Sequence, residues 1–322
     1  MKVLKSYLLG IKKAIQEGKM VGLIWLFNVL FAGVLYFQVS GYLNRILAGT
    51  GAAEKFLKTF DMNTLFEMLI FKGEGLSTIL SLIITLIFVY LLANIFINGG
   101  ILHTLANPKK RGEKRRMAPL FFEGAGKYFG RFFRLCIYSK LFWVGLIIVI
   151  IFLNLILDSI TRGGTNEGLM FYLVLIRVII VVFLVFLIKM VTDYARIQIV
   201  AGDSRKVFLS LFQAFGFVLR KFWRTLALYY LFVLTSVAIF YFYGLIGKTV
   251  KTHALIPILI SFALTQVFIL SRGWVRVGLQ AAQLDCFLKA KSEEISSRQE
   301  KISESAPVPE AGEGPEIPHI VD

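Results

Sequence analysis

The sequence contains few of the residues from which catalytic and metal sites are built. Its two cysteines, Cys136 and Cys286, form no CxxC pair, and its three histidines are scattered along 322 residues. Because metal sites need clustered ligands, this spacing argues against a bound metal. The chain also lacks a Walker loop, an HExxH motif, a GxSxG motif and paired aspartates within an apolar run. We therefore expect no cofactor and no enzymatic activity.

Charged residues are also scarce. They make up 17% of the chain, hydrophobic residues make up 57%, and the mean hydropathy is +0.72. A soluble domain is about half apolar and about a quarter charged. Several apolar runs reach the roughly 20 residues that cross a bilayer core of about 30 Å. This composition predicts an all-α integral membrane protein, in which the run from Met20 to Tyr42 is a retained first span.

Six transmembrane helices are predicted within one membrane domain, residues 1–286. The predicted spans are at about 20–43, 76–105, 135–157, 169–192, 225–247 and 255–285. Segment 44–75 mixes apolar clusters with single charges, which predicts one or two short helices at the outer interface. Residues 287–322 hold four of the seven prolines and no apolar period, which predicts a disordered cytoplasmic tail.

Basic residues are concentrated in alternate loops, which predicts the orientation of the chain. Three segments contain 21 lysines and arginines, whereas the three that alternate with them contain 7. The basic group is 1–19, 107–134 and 189–224, and the other group is 44–75, 158–168 and 248–254. Such a bias places both termini in the cytoplasm. The net charge of +16 then indicates contact with anionic lipid headgroups rather than with nucleic acid.

A short internal match indicates a repeated unit. FEGAGKYFGRFFRL at 122–135 and FQAFGFVLRKFWRT at 212–225 align without gaps, and each directly precedes a predicted span. The predicted unit is a cytoplasmic interfacial helix followed by a helical hairpin, present three times. In the first copy, Glu123, Lys127, Arg131 and Arg134 follow at helical spacing, which predicts a charged stripe in the headgroup layer, with Glu123 able to pair with Lys127.

Another group of charges follows span four. Asp193 lies about 7 Å beyond the predicted end of the hydrocarbon, so we expect it to pair with Arg196 as an exit anchor. An alternative is that Asp193 binds the charged stripe of a neighbouring unit. Asp203 or Ser204 has the chemistry of a helix cap.

Arg177 lies about eight residues into span four, roughly 12 Å deep. An arginine at that depth costs about 2.5 kcal/mol or more unless it is paired. We predict that it contacts Asn154, Asp158 or Gln266 as a hydrogen-bond anchor, or that these residues form a ligand site. Asn28 and Asn94 are weaker candidates, because a single asparagine often only ties two helices together. Gly99-Gly100 allows close helix packing, but this signal is not specific.

Four segments carry a resemblance to a known family: KTFDMNTLFEML, NGGILHTL, FFEGAGKYFGRFFRL and DYARIQIVAGDSRKVF. Together they resemble a family of uncharacterised six-span bacterial membrane proteins. More distantly, the chain is similar to the membrane domain found beside glycerophosphodiesterases. The resemblance covers about residues 1–286 and implies a bacterial cytoplasmic (inner) membrane location. It implies no catalytic residues.

Two functions from different classes fit these patterns. The first is a non-enzymatic membrane protein that organises partner proteins or lipids. The alternative is a transporter or lipid-handling protein that uses a polar site around Arg177. A packed bundle with Arg177 tied to its neighbours favours the first function, whereas a cavity lined by Arg177 favours the second.

Overall fold

The structure, a computed structural model, describes residues 2–47, 74–107, 117–161, 167–249 and 255–305. These residues form eight α-helices. They are α1 (Lys2–Gln16), α2 (Gly18–Leu47), α3 (Glu74–Ala106), α4 (Met117–Thr161), α5 (Glu167–Ala201), α6 (Val207–Arg220), α7 (Phe222–Thr249) and α8 (Leu255–Ser305).

The six predicted spans are confirmed as helices. The helices α2, α3, α4, α5, α7 and α8 are each long and apolar enough to cross a membrane. The protein is therefore an all-α, multi-pass membrane protein. The interfacial helices predicted within 44–75 fall mostly outside the described residues.

The C-terminal tail differs from its prediction, because α8 continues as far as Ser305. Residues 287–305 are therefore helical where the sequence predicts disorder. The extension begins with buried residues, Phe287 and Ala290. Two ion pairs hold the same region: Lys289 Nζ lies 2.6 Å from Asp285, and Glu293 lies 3.3 Å from Arg224 of α7. Residues 306–322 lie outside the described part of the chain.

The three segments that precede spans one, three and five are helical, but their connections to the spans differ. The α6 helix is separated from α7 at Lys221, and α1 is separated from α2 at Glu17. Residues 119–134, by contrast, continue into their span within α4, whose 45 residues extend to about 68 Å. The threefold repeat therefore stays a prediction.

The hydrophobic core lies at one end of the bundle, which we call the basic end. It is formed by α1 and α6, by the first turns of α2 and the first half of α4, by the last turns of α3 and of α5, and by the apolar part of α8. Its largest buried side chains include Tyr194, Phe121 and Met20. In the most apolar window of each span, by contrast, at most 17% of residues are buried. The spans therefore present apolar side chains outward, as expected of surfaces that face lipid.

Two helix pairs at the basic end pack through small residues. In the α1–α8 pair, a Cβ atom added to Gly10 would lie 2.5 Å from the carbonyl oxygen of Gly278 and 2.7 Å from Ala282 Cβ. In the α3–α4 pair, a Cβ atom on Gly100 would lie 2.6 Å from the Phe121 ring. Such contacts let helix backbones approach closely.

The third pair, α5–α6, is held by larger side chains. The rings of Tyr194 and Phe217 lie 5.2 Å apart, and Gln198 donates a 2.5 Å hydrogen bond to Gln213. Each pair joins the end of one span to a helical segment that leads into another span. The basic end is therefore a packed platform from which six less tightly packed spans extend.

Candidate functional site

Asp203 links two of these helix pairs. It accepts hydrogen bonds from Lys127 at 3.0 Å and from Arg131 at 2.6 Å, both on α4, and Tyr128 donates to it at 3.3 Å. The hydrogen bonds from Lys127 and Arg131 lower the pKa of Asp203 to about 2. The carboxylate is therefore ionised at neutral pH.

This arrangement corrects the prediction that Asp203 or Ser204 caps the next helix. The residue at the N-cap position of α6 is Lys206, and it makes no side-chain cap hydrogen bond. Asp203 instead adopts a left-handed backbone conformation with a φ of 44° and points its carboxylate at α4. It therefore makes the contact that the alternative hypothesis assigned to Asp193.

The remaining charges of the α4 stripe have separate positions. Glu123 and Arg134 are exposed, and Arg134 donates from Nε to the carbonyl oxygen of Gly130 at 3.2 Å. Lys127 bonds to Asp203 at 3.0 Å, and the pairing of Glu123 with Lys127 stays a prediction. Two residues of the stripe, Lys127 and Arg131, therefore connect α4 to Asp203, which lies between α5 and α6.

The predicted pairing of Asp193 with Arg196 is present in the structure. Arg196 donates to Asp193 at 3.0 Å, and both side chains are about one quarter exposed. Close by, Arg276 of α8 donates to Asn98 of α3 at 2.9 Å, and Gln280 donates to the same amide oxygen at 2.8 Å. A polar network that the sequence did not predict thus connects α3 to the middle of α8.

Arg177 is not part of a polar site among the residues that the structure describes. Its side chain is half-buried, and no described side chain forms a hydrogen bond or ion pair with it. Gln266, one predicted partner, instead accepts a hydrogen bond from Trp25 at 2.9 Å. Asn154 is also half-buried. The side chain of Asp158 is outside the described set, so that contact stays a prediction.

A polar cavity instead lies between α2, α3 and α8. It has a volume of about 380 Å³, and its polar lining comes from Asn28, Tyr90, Arg272 and Arg276. Tyr90 donates a 3.3 Å hydrogen bond to Asn28. Arg272 is exposed, and within the described chain it forms no hydrogen bond or ion pair. The lining holds two arginines and no acidic residue, so the cavity suits an anion.

An apolar groove of about 540 Å³ adjoins this cavity between α2 and α3. Asn28 and Tyr90 line both spaces, so the groove begins where the polar cavity ends. Its other lining residues are Phe31, Ala32, Leu35, Val39, Ile83, Leu86 and Ile87. We call the polar cavity and the apolar groove together the α2–α3 cleft. A polar end joined to a long apolar side is the shape that an amphiphile fits.

Only part of this cleft could be predicted from the sequence. Asn28 was predicted only as a possible tie between two helices. What could have drawn attention to α8 is the pair Arg272 and Arg276, one turn apart, within a predicted span. An arginine pair on one helix face at the edge of the membrane is a candidate phosphate site.

Metal chemistry finds no support in the described residues, where no group of three histidine, cysteine or acidic side chains could hold an ion. The expectation of no cofactor stays a prediction. No family model, curated protein or solved structure matches the chain. The family resemblance of the sequence therefore also stays a prediction.

Proposed function

We propose that the protein is a non-enzymatic membrane protein that binds and organises phospholipid, and that the lipid lies in the α2–α3 cleft. The observation that carries this proposal is the continuity of the cleft, in which Asn28 and Tyr90 line both the polar cavity and the apolar groove. A soluble ligand would not need the apolar groove. Lipid surrounds the cleft on its open side, so the ligand is present wherever the protein is.

The transporter hypothesis around Arg177 has less support. No described residue pairs with Arg177, and Gln266 is bonded to Trp25. Two arginines lie instead in the α2–α3 cleft. Lipid handling therefore fits the geometry better at the cleft than at Arg177.

Filling the groove tests the proposal. Ala32 is exposed and lines the groove, so Ala32→Trp places an indole ring where an acyl chain would lie. We expect wild-type protein, extracted in mild detergent, to retain lipid that native mass spectrometry detects, and the variant to lose most of it. The matched control is Ala238→Trp, at an exposed alanine of α7, which should retain lipid as the wild type does. Equal lipid retention by both variants would refute the proposed site.

We also propose that the basic end faces the cytoplasm, because 21 basic residues lie in one set of loops and 7 in the other. Two exposed lysines lie on opposite sides of the spans. Lys291 is on α8 beyond the basic end, and Lys248 is at the opposite end of α7. In a background without the two native cysteines, Lys248→Cys should react with an impermeant maleimide in intact cells. Lys291→Cys should react only after permeabilisation. Labelling of Lys291→Cys in intact cells would show that the basic end faces outward and would contradict the proposal.

A further inference from the structure

The polar cavity of the α2–α3 cleft lies at the edge of the membrane. Counted from the start of α8 at Leu255, Arg272 is about 26 Å along the helix and Arg276 about 32 Å. The hydrocarbon core is about 30 Å thick. Measured from Leu255, Arg272 therefore lies about 4 Å inside the far edge of the hydrocarbon and Arg276 about 2 Å beyond it, where a long side chain reaches the lipid phosphates.

The two arginines differ in how far the protein satisfies them. Arg276 donates from Nη2 to Asn98, whereas Arg272 forms no hydrogen bond or ion pair within the described residues. A guanidinium has five N–H donors and cannot lose its charge in a protein. At this depth, where water is scarce, an oxyanion is the partner that satisfies such a group.

The local charge leaves room for an added anion. Asp193 lies within electrostatic range of Arg276, but so does Arg196, and Asp193 is bonded to Arg196. Asp193 is thus already paired, and no acidic residue lines the cavity. The cavity therefore keeps an excess of positive charge toward Arg272.

The apolar groove runs in the direction that a lipid of the leaflet at the basic end requires. Along α2 it extends from Asn28 to Val39, away from the arginines and toward the far side of the membrane. Eleven residues of helix measure about 16 Å, close to half of the hydrocarbon thickness of about 30 Å. A lipid with its phosphate at Arg272 would thus lay one acyl chain along the groove.

We propose that the α2–α3 cleft selects an anionic phospholipid of the leaflet at the basic end, with its phosphodiester on Arg272 and Arg276. This inference rests on the proposed function and specifies its ligand class. Phosphatidylglycerol carries a phosphodiester and no compensating cation. Phosphatidylcholine carries the same phosphate but adds a fixed cation, which two arginines repel.

Competition between these two lipids tests the inference. Full-length protein in mild detergent is mixed with equal amounts of phosphatidylglycerol and phosphatidylcholine of identical chains, and bound lipid is counted by native mass spectrometry. We expect the wild type to prefer phosphatidylglycerol about tenfold, because both lipids offer the phosphate but only phosphatidylcholine brings a cation to the two arginines. Arg272→Gln should bring the ratio close to one. Its fold should be unchanged, because Arg272 has no partner to lose in the described residues, and an equal thermal midpoint verifies this.

The matched control is Arg205→Gln, which removes the same charge from an exposed residue outside the cleft and should keep the preference. An equal loss in both variants would overturn the inference, since diffuse surface charge would then explain it. Displacement of phosphatidylglycerol by millimolar inorganic phosphate would also overturn it, because a soluble anion would be the occupant. If Ala32→Trp removes bound lipid but the wild type shows no preference, this inference fails while the proposed function stands.

Discussion

Gly124→Ala is expected to lower the free energy of unfolding by about 2–3 kcal/mol, at the upper end of the range for overpacked cores. The added Cβ atom would overlap Cβ and Cγ of His103 on α3. A Cβ atom is fixed by its backbone, so no side-chain rotation relieves the overlap, and α3 and α4 must separate. His103 is buried, so the separation also opens the core. Thermal unfolding in detergent measures the loss.

The matched control lies two residues further along the same helix. Nothing lies within 4 Å of a Cβ atom added to Gly126, so Gly126→Ala changes only the helix propensity. It should leave stability unchanged or raise it by up to about 1 kcal/mol. The same substitution in the same helix thus has opposite expected signs. If both variants are equally stable, the close approach of α3 and α4 is not what holds the platform together.

Gly10→Ala is expected to have a comparable effect at the junction between the N-terminal helix and α8. The added Cβ atom meets the carbonyl oxygen of Gly278 at 2.5 Å and Ala282 Cβ at 2.7 Å. Neither atom can rotate away, so α1 must move from α8. We expect a loss of about 2–3 kcal/mol.

The release of α1 gives this variant a second readout. A 15-residue helix is marginal in isolation, and α1 depends on contacts such as the 2.8 Å hydrogen bond from Ser6 to Asp285. Backbone amides of α1 should therefore exchange faster with deuterium in Gly10→Ala than in the wild type. Gly22→Ala, at an open position of α2, is the control. Unchanged exchange in α1 would show that Gly10 does not set this packing.

The spans could be predicted because a single local property, the length of an apolar run, decides them. The helix over 287–305 was missed because its support is partly tertiary. Glu293 is fixed by Arg224 of α7, and Phe287 is buried, and neither contact follows from the proline content of the tail. Gly99-Gly100 was noted as a possible contact, but its counterpart at Gly124 could not be chosen over Gly126 without knowing which face of α4 meets α3.

In the candidate site, too, the sequence predicted local properties such as depth but not the tertiary contacts of a side chain. The sequence predicted that Arg177 is costly at its depth, but it could not tell which side chains reach it, and Gln266 turned out to bind Trp25. Asp193 and Arg196 were predicted correctly because their pairing is local, three residues apart on one helix. The hydrogen bond that Arg131 donates to Asp203 joins residues 72 positions apart, and only the fold brings them together.

The central claim, that the α2–α3 cleft holds a phospholipid, is tested most directly by an electron cryomicroscopy structure in nanodiscs that contain phosphatidylglycerol. We expect continuous lipid density along the groove beside Ala32, with a phosphate about 3 Å from the Arg272 guanidinium. A cleft closed by direct contact between α2 and α3, or one filled by side chains of a second copy of the chain, would contradict the claim.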